Sequence, residues 1–188
     1  KEKSNLIKEL LKRIETGIVK KQDISKKQAK HIYLGLGSNL GDKKRNIEKA
    51  KFKLLENNIK ILKSSSYFES LSWPNPKNPK FINIVLKVTT DLSSLTLLDK
   101  CKEIEFFLGR KKSYKNSPRE CDIDIIDYKQ KKINNKITTP HPRMHIRSFV
   151  LLPLFELNRS WKHPISKLHI KKLIFSLSNK DIRSIKQI

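Results

Sequence analysis

The chain has 188 residues, which is enough for one domain with a hydrophobic core and short for two. No stretch approaches the ~20 apolar residues that cross a bilayer, so we expect no membrane partner. The two cysteines, Cys101 and Cys121, have neither metal-ligand spacing nor the density of a disulfide scaffold. No apolar segment with a small-residue cleavage site follows the basic N-terminus. We therefore expect a cytoplasmic protein with packed, reduced thiols.

The formal net charge of +24 would attract polyanions, either nucleic acid or the phosphates of a nucleotide. The excess is mostly lysine and is spread along the chain. This distribution favours a generally lysine-rich composition over a dedicated nucleic-acid surface.

Residues 1–30 form a segment distinct from the rest. Its apolar residues recur at spacings of three and four, which predicts an amphipathic helix: Leu6, Ile7, Leu10, Leu11, Ile14 and Ile18. A helix this short is marginal alone, so its stripe should pack against this chain or a second copy. We predict a helical extension over residues 1–30 and a main domain over residues 31–188.

The main domain begins with alternating apolar residues and continues with a mixture of strands and helices. In chain order we predict strands at 31–37, 61–69, 81–90 and 122–128, helices at 43–57, 94–108, 149–157 and 168–178, and a hairpin within 129–137. Asp42 and either Ser93 or Ser94 are suitable helix N-caps. The order favours an α+β, ferredoxin-like sandwich, with helices on one face of a largely antiparallel sheet.

The alternation also predicts which strand residues share a face. If Ile32, Leu34 and Leu36 face the helices together with Ile84 and its neighbours, then Gly35, Phe81 and Asn83 face the other side. We expect a binding surface on that open face.

Two carboxylates, Asp122 and Asp124, project from the same face of one strand, because they alternate with Ile123 and Ile125. Like charges placed side by side are costly unless a cation lies between them, and hard oxygen ligands suit Mg²⁺. The alternative is an edge strand on which aspartates oppose aggregation.

A basic loop leads directly into these aspartates: it contains Arg110, Lys111, Lys112, Lys115 and Arg119. Cations beside a carboxylate metal site are what a polyphosphate requires. For Lys111 and Lys112, a loop whose charges are only solvated is as good an interpretation as phosphate binding.

The segment Lys115–Ile126 has the order basic, any, small, Pro, Arg, two spacers, Asp, aliphatic, Asp, two aliphatics. It resembles the motif of the 6-hydroxymethyl-7,8-dihydropterin pyrophosphokinases of folate synthesis. The strand and turn at residues 33–42, the Phe81-Ile82-Asn83 segment, and the closing segment from Pro140 to Glu156 resemble that family in order and spacing. The resemblance covers roughly residues 31–165.

The resemblance implies a function and a set of site residues. The reaction would transfer pyrophosphate from Mg·ATP to the pterin alcohol, with two Mg²⁺ ions on Asp122 and Asp124. The implied ATP-binding residues are Lys102, Glu105, Arg110, Arg119, Ile125, Lys136, Thr138, His141 and Arg147. The implied pterin-binding residues are Ser70, Leu71, Phe81, Asn83, Asp122 and Phe149. Arg110, Arg119, Asp122 and Asp124 would be catalytic.

Three points remain open at this stage. The family often has Trp-Gly where this chain has Asn116-Ser117, and Trp73 could supply the missing aromatic.

The rival function is a basic sheet that stacks RNA bases, but no strand has the aromatic pattern of such modules. We therefore expect ATP and the pterin as partners, no nucleic acid, and a monomer or weak homo-oligomer. Residues 1–30 could also be an interaction helix.

Overall fold

The structure, a computed structural model, describes residues 2–16, 31–72, 75–110, 114 and 116–188. The strands are β1 (Ile32–Ser38), β2 (Lys60–Ser64), β3 (Phe68–Ser70), β4 (Phe81–Thr89), β5 (Asp122–Tyr128), β6 (Ile133–Asn134), β7 (Thr138–Thr139) and β8 (Ile185–Gln187). The helices are α1 (Glu2–Thr16), α2 (Lys43–Glu56), α3 (Ser94–Phe107), α4 (Ser148–Leu157), α5 (Ile170–Ser176) and α6 (Asn179–Arg183), with a 3-10 turn at Met144–Ile146.

A six-stranded sheet with the order β5-β1-β4-β3-β8 organises the fold. Strand β2 also pairs with β4, at residues 86–89, whereas β3 pairs with residues 81–83 of the same strand. Throughout the described residues each strand pairing is antiparallel. The predicted α+β class with a largely antiparallel sheet is confirmed. Among the described helices, none is long and apolar enough to cross a membrane.

Helices α2 and α3 pack on the sheet face that the alternation predicts. Ile32, Leu34 and Leu36 of β1 lie in one buried core with Ile84 and Leu86 of β4. Both helices begin at a side-chain cap that satisfies a free backbone N–H. Asp42 accepts from Arg45 N, and Ser93 accepts from Thr96 N.

Cys101 and Cys121 lie in the same core as free, buried thiols, as expected. Burial raises the pKa of Cys101 to about 12. This thiol therefore stays protonated and acts as an apolar packing group.

The opposite sheet face carries a second core under α4 and α5, so helices lie on both faces rather than on one. Tyr33 of β1, Phe68 of β3 and Val85 of β4 point into this core. The end of this face that carries Gly35, Phe81 and Asn83 does stay open, as the alternation predicts. At the other end of the same strands the side chains are apolar, and α4 and α5 bury them.

Helix α1 completes this second core. Ile7, Leu11 and Ile14 are at most 6% exposed and pack with residues of α4 and α5. Of the two expected arrangements, the structure has the one in which α1 packs against its own chain. Glu2 also pairs with Arg183 at 2.8 Å. Residues 17–30, which include Ile18, lie outside the described residues.

A β-bulge in β5 changes the alternation of the strand half-way along. Tyr33 of β1 is opposite Asp127 and Leu34 is opposite Ile125, so Ile126 is the additional residue. As a result Asp127 turns toward the second core, where Trp161 Nε1 donates to its carboxylate at 2.9 Å.

Two predicted boundaries differ from the structure. The single strand predicted at 61–69 is split into β2 and β3, because Ser65 Oγ accepts the Val85 N–H in place of a strand carbonyl. The helix predicted at 168–178 ends at Ser176, and Ser178 caps the further helix α6. The short strand β8 after α6 was not predicted.

Candidate active site

The two carboxylates of β5 line a cleft at the open end of the sheet. Their neighbours across the β1 pairing are Gly37 opposite Asp122 and Gly35 opposite Asp124. Because glycine has no side chain, nothing on β1 covers the carboxylates. A Cβ on Gly37 would lie 3.0 Å from Asn83 Oδ1 and 3.3 Å from Phe81 Cδ1, so glycine also permits their close approach.

Both predicted loop arginines pair with Asp122. Arg110 Nη1 donates to Oδ1 at 2.6 Å, and Arg119 Nη2 donates to Oδ2 at 2.6 Å. Burial alone would raise the pKa of Asp122, but the guanidinium groups of Arg119 and Arg110 together lower it below its ordinary value. Asp122 is therefore ionised at neutral pH.

One donor of Arg119, its Nε, makes no hydrogen bond to the described residues. Its Nη1 donates to Ser117 O at 3.0 Å and its guanidinium lies 5.2 Å from the Phe81 ring centre. Its Nε is buried and has no hydrogen-bond partner within the part of the chain that the structure describes. An unpaired buried donor on a guanidinium is suited to an incoming anion.

Glu105 of α3 joins this ionic group from the helix side. Its side chain is 2% exposed and pairs with Arg110 at 2.7 Å and with Lys102 at 3.0 Å. It also accepts from the Ile123 N–H at 2.7 Å. Burial raises the pKa of Glu105, while Lys102 opposes that rise.

Asp124 faces a second basic pair, Arg147 and His141. Arg147 Nη1 donates to Asp124 Oδ2 at 3.2 Å, and His141 Nε2 lies 3.7 Å from the same oxygen. Burial lowers the pKa of His141. The Arg143 N–H donates to His141 Nδ1, and His141 Nε2 lies beside both Asp124 and Arg147 Nη1, the latter at 3.4 Å.

The other side of the cleft is aromatic and amide-bearing. Phe81 and Phe149 are half-buried and line it together with Ser70, Leu71 and Asn83. Asn83 Nδ2 donates to Ser70 Oγ at 3.0 Å, which fixes the orientation of its amide. Arg147 lies 5.5 Å from the Phe149 ring centre.

Known proteins resemble this chain in sequence. A family model described as 7,8-dihydro-6-hydroxymethylpterin-pyrophosphokinase (HPPK) matches residues 33–159. The 2-amino-4-hydroxy-6-hydroxymethyldihydropteridine pyrophosphokinase of Aquifex aeolicus is 42% identical over 142 residues, which is 75% of this chain and 88% of that protein. The chain belongs to the HPPK family.

Other relatives are much longer than this HPPK chain. The folic acid synthesis protein fol1 of Pneumocystis carinii is 38% identical over 82% of this chain, which covers only 21% of that protein. The Plasmodium falciparum HPPK-DHPS structure with pteroate matches 80% of this chain and 43% of its own, with a TM-score of 0.63. At 16% identity, this likeness shows the fold alone.

Some HPPK residues predicted from the sequence lie away from the cleft. The Ile125 side chain is 5% exposed and packs in the core under α2 and α3, so only its backbone could contact a ligand. Lys136 and Thr138 are exposed residues at the β6–β7 hairpin, outside the cleft lining. Trp73, Lys111, Lys112 and Lys115 fall outside the described residues.

Among the contributors to the HPPK cleft that the sequence did not predict, three are informative. Ile126 and Asn116 line it, and Asn39 binds the loops beside it. Ile126 enters through the bulge, which breaks the alternation that a sequence argument relies on. Asn116 has a φ of 65°, a left-handed conformation in which asparagine is enriched, but its type alone did not indicate a site.

Proposed function

We propose that this chain transfers the terminal diphosphate of ATP to 6-hydroxymethyl-7,8-dihydropterin, giving AMP and the pterin diphosphate. The single observation that supports this best is the division of one cleft. One side holds two carboxylates and arginines, and the other holds two phenylalanines and an amide. This is the pyrophosphokinase reaction of the HPPK family in folate biosynthesis.

Asp122 and Asp124 would hold two Mg²⁺ ions together with the ATP phosphates. Among the described residues, no group of three or more His, Cys, Asp or Glu side chains could hold a metal by itself. Two carboxylates that leave the remaining ligands to phosphate and water fit Mg²⁺, which keeps part of its water shell. Bound there, Mg²⁺ would neutralise phosphate charge and favour ionisation of the attacking hydroxyl.

In the proposed reaction the pterin hydroxymethyl oxygen attacks the β-phosphorus of ATP. The bond from that phosphorus to the bridging oxygen breaks, AMP leaves with the electron pair, and the hydroxyl proton passes to water. Arg119 would donate through its unpaired Nε and its Nη groups to the transferred phosphates, and Arg110 would assist. Catalysis then consists of positioning and charge stabilisation.

His141 and Arg147 would contact the nucleotide phosphates from the opposite side of the cleft. Both lie within reach of Asp124, so phosphates placed between the carboxylates would meet them. Lys102 and Glu105 would lie near the nucleotide, with the Ile125 backbone, Lys136 and Thr138 at its base and ribose side.

Phe81 and Phe149 would sandwich the pterin ring, because a flat heteroaromatic gains most when both faces are covered. Asn83 would read the amide edge of the ring, with its orientation set by Ser70. Ser70 and Leu71 would contribute backbone contacts.

We further propose a cytoplasmic enzyme that is a monomer or weak homo-oligomer and binds no nucleic acid. The division into an extension at residues 1–30 and a domain at residues 31–188 also belongs to this proposal. It is supported by the family match, which begins at residue 33.

The test is to incubate the protein with Mg·ATP and the reduced pterin alcohol and to identify the nucleotide product. AMP supports pyrophosphoryl transfer, and ADP would indicate an ordinary kinase. Omission of the pterin is the control, since a contaminating ATPase would release nucleotide without it.

A further inference from the structure

Asn39 lies in the turn between β1 and α2 and is only 2% exposed. A buried amide needs hydrogen-bond partners, and those of Asn39 are far away in the sequence. Its side-chain Oδ1 accepts from the backbone N–H of Arg119 at 2.7 Å, and its backbone N–H donates to Arg119 O at 3.1 Å. Asn39 therefore binds both the backbone N–H and the backbone carbonyl of Arg119.

The same side chain holds a second loop. Asn39 Nδ2 donates to Pro79 O at 3.1 Å and to Ser72 Oγ at 3.3 Å. Ser72 Oγ also donates to Pro79 O at 2.5 Å, which ties the two ends of that loop together. Ser72 directly follows Leu71 of the cleft wall, and Pro79 lies two residues before Phe81.

Only a side-chain amide satisfies these partners. The Arg119 N–H can only donate, and the Pro79 carbonyl can only accept, so the group between them must offer one acceptor and one donor. A carboxylate would offer two acceptors, and an aliphatic side chain of the same size would offer neither. The assignment of Oδ1 and Nδ2 follows from the same partners.

We propose that Asn39 is a positioning residue that fixes the distance between the phosphate-binding Arg119 and the loop that leads to Phe81. This inference rests on the proposed function, because Arg119 and Phe81 serve the two substrates in it. Asn39 touches neither substrate and acts through the two loops. A displacement of about 1 Å at a reacting group can reduce a rate by about 100-fold.

The experiment measures the single-turnover rate of AMP formation for Asn39→Leu in the wild-type and the Arg119→Ala backgrounds. We expect a loss of about 10-fold or more in the wild-type background and a clearly smaller further loss when Arg119 is already alanine, since only the effect through the loop that leads to Phe81 would remain. An equal loss in both backgrounds would overturn the proposal, because Asn39 would then act independently of Arg119. So would an unchanged rate in the wild-type background.

The matched control is Asn46→Leu. Asn46 is an amide in the first turn of α2 that binds the same β1–α2 turn: its Nδ2 donates to Ser38 Oγ at 3.3 Å and to Leu40 O at 3.0 Å, and no hydrogen bond joins its side chain to either loop among the described residues. We expect its rate to stay within about twofold of wild type. A loss equal to that of Asn39→Leu would assign the effect to the turn and would overturn the proposal.

A second variant and a second readout cover the case in which Asn39→Leu folds poorly. Asn39→Asp keeps an acceptor for Arg119 but faces Pro79 O with another acceptor, so the KM for pterin should rise more than the rate falls. Hydrogen exchange of residues 116–122 should be faster in Asn39→Leu than in Asn46→Leu. Unchanged exchange would overturn the inference even if the protein released no AMP, whereas absence of AMP from wild type would overturn only the proposed function.

Discussion

Arg119 and Arg110 bind the two oxygens of Asp122 separately, each at 2.6 Å. Each oxygen of Asp122 thus already has a guanidinium partner. In the proposed function, a divalent cation that arrives alone would compete with these arginines for the carboxylate, whereas one that arrives with a triphosphate would bring new partners for them. Exchange of partners between the carboxylate and the phosphates would therefore couple metal binding to nucleotide binding.

Arg119→Ala should increase the affinity of the protein for Mn²⁺ alone, because one competitor for Asp122 is removed. The same variant should lower kcat more than it raises the Kd for nucleotide. Titration calorimetry with Mn²⁺ and no nucleotide measures the first effect. Arg45→Ala, at an exposed position of α2, is the control and should leave both quantities unchanged. Equal losses in nucleotide binding and rate would make Arg119 a nucleotide anchor only.

Asp124→Ala should abolish AMP formation and leave the fold intact, because the carboxylate is partly exposed in the cleft and its strand neighbour is a glycine. The measurement is turnover with Mg²⁺, accompanied by a thermal melt. Asp99→Ala removes an exposed carboxylate on α3 and should retain full activity. Near-wild-type turnover in Asp124→Ala would refute its role in metal binding.

Phe149→Leu and Phe81→Leu should each weaken pterin binding by about 1 kcal/mol beyond the lost area, because a stacked ring face is removed. The affinity for ATP without pterin should barely change. Fluorescence titration with the pterin measures this, and Phe106→Leu at a side chain that is 78% exposed is the control. A Phe149→Leu protein that loses stability but binds pterin normally would show that the ring serves only the core.

Ile14→Ala should destabilise the protein by about 2 to 5 kcal/mol, because Ile14 is 1% exposed in the core shared by α1, α4 and α5. Chemical denaturation measures the loss, and Lys12→Ala on the exposed side of α1 is the control. Deletion of residues 1–30 should likewise reduce stability or solubility but spare AMP formation, since all the proposed site residues follow His31. A stable deletion variant without turnover would instead mean that α1 shapes the active site.

Asp127 should make stability depend on pH. Burial raises the pKa of this carboxyl above 3.8, although hydrogen bonds from Trp161 and Gln130 oppose the rise. A carboxyl with a raised folded-state pKa binds more protons when folded, so its contribution is full below 3.8 and is lost as the pH rises through the folded-state pKa. The Tm of wild type relative to Asp127→Asn should therefore fall between pH 4 and 7. A constant difference would contradict this assignment.

The sequence predicted those features that depend on local pattern. The alternation of Ile32, Leu34 and Leu36 placed Gly35, Phe81 and Asn83 on the correct face, and the turn residues Asp42 and Ser93 located the helix starts. The second core could not be predicted, because its partners, such as Tyr33 and Trp161, are far apart in the chain. The same applies to Asn39, whose partners lie 33, 40 and 80 residues away.

The additional residue in β5 divides the strand into two phases. Ahead of it, odd-numbered positions face α2 and α3, whereas after it the even-numbered Tyr128 does so. A saturation-mutagenesis profile of residues 122–128 should therefore show a two-residue rhythm that skips one step at Ile126. Deletion of Ile126 would restore an uninterrupted ladder in which Asp127 and Tyr128 keep their faces, so its cost should come from the side chain that Ile126 contributes to the second core and to the cleft.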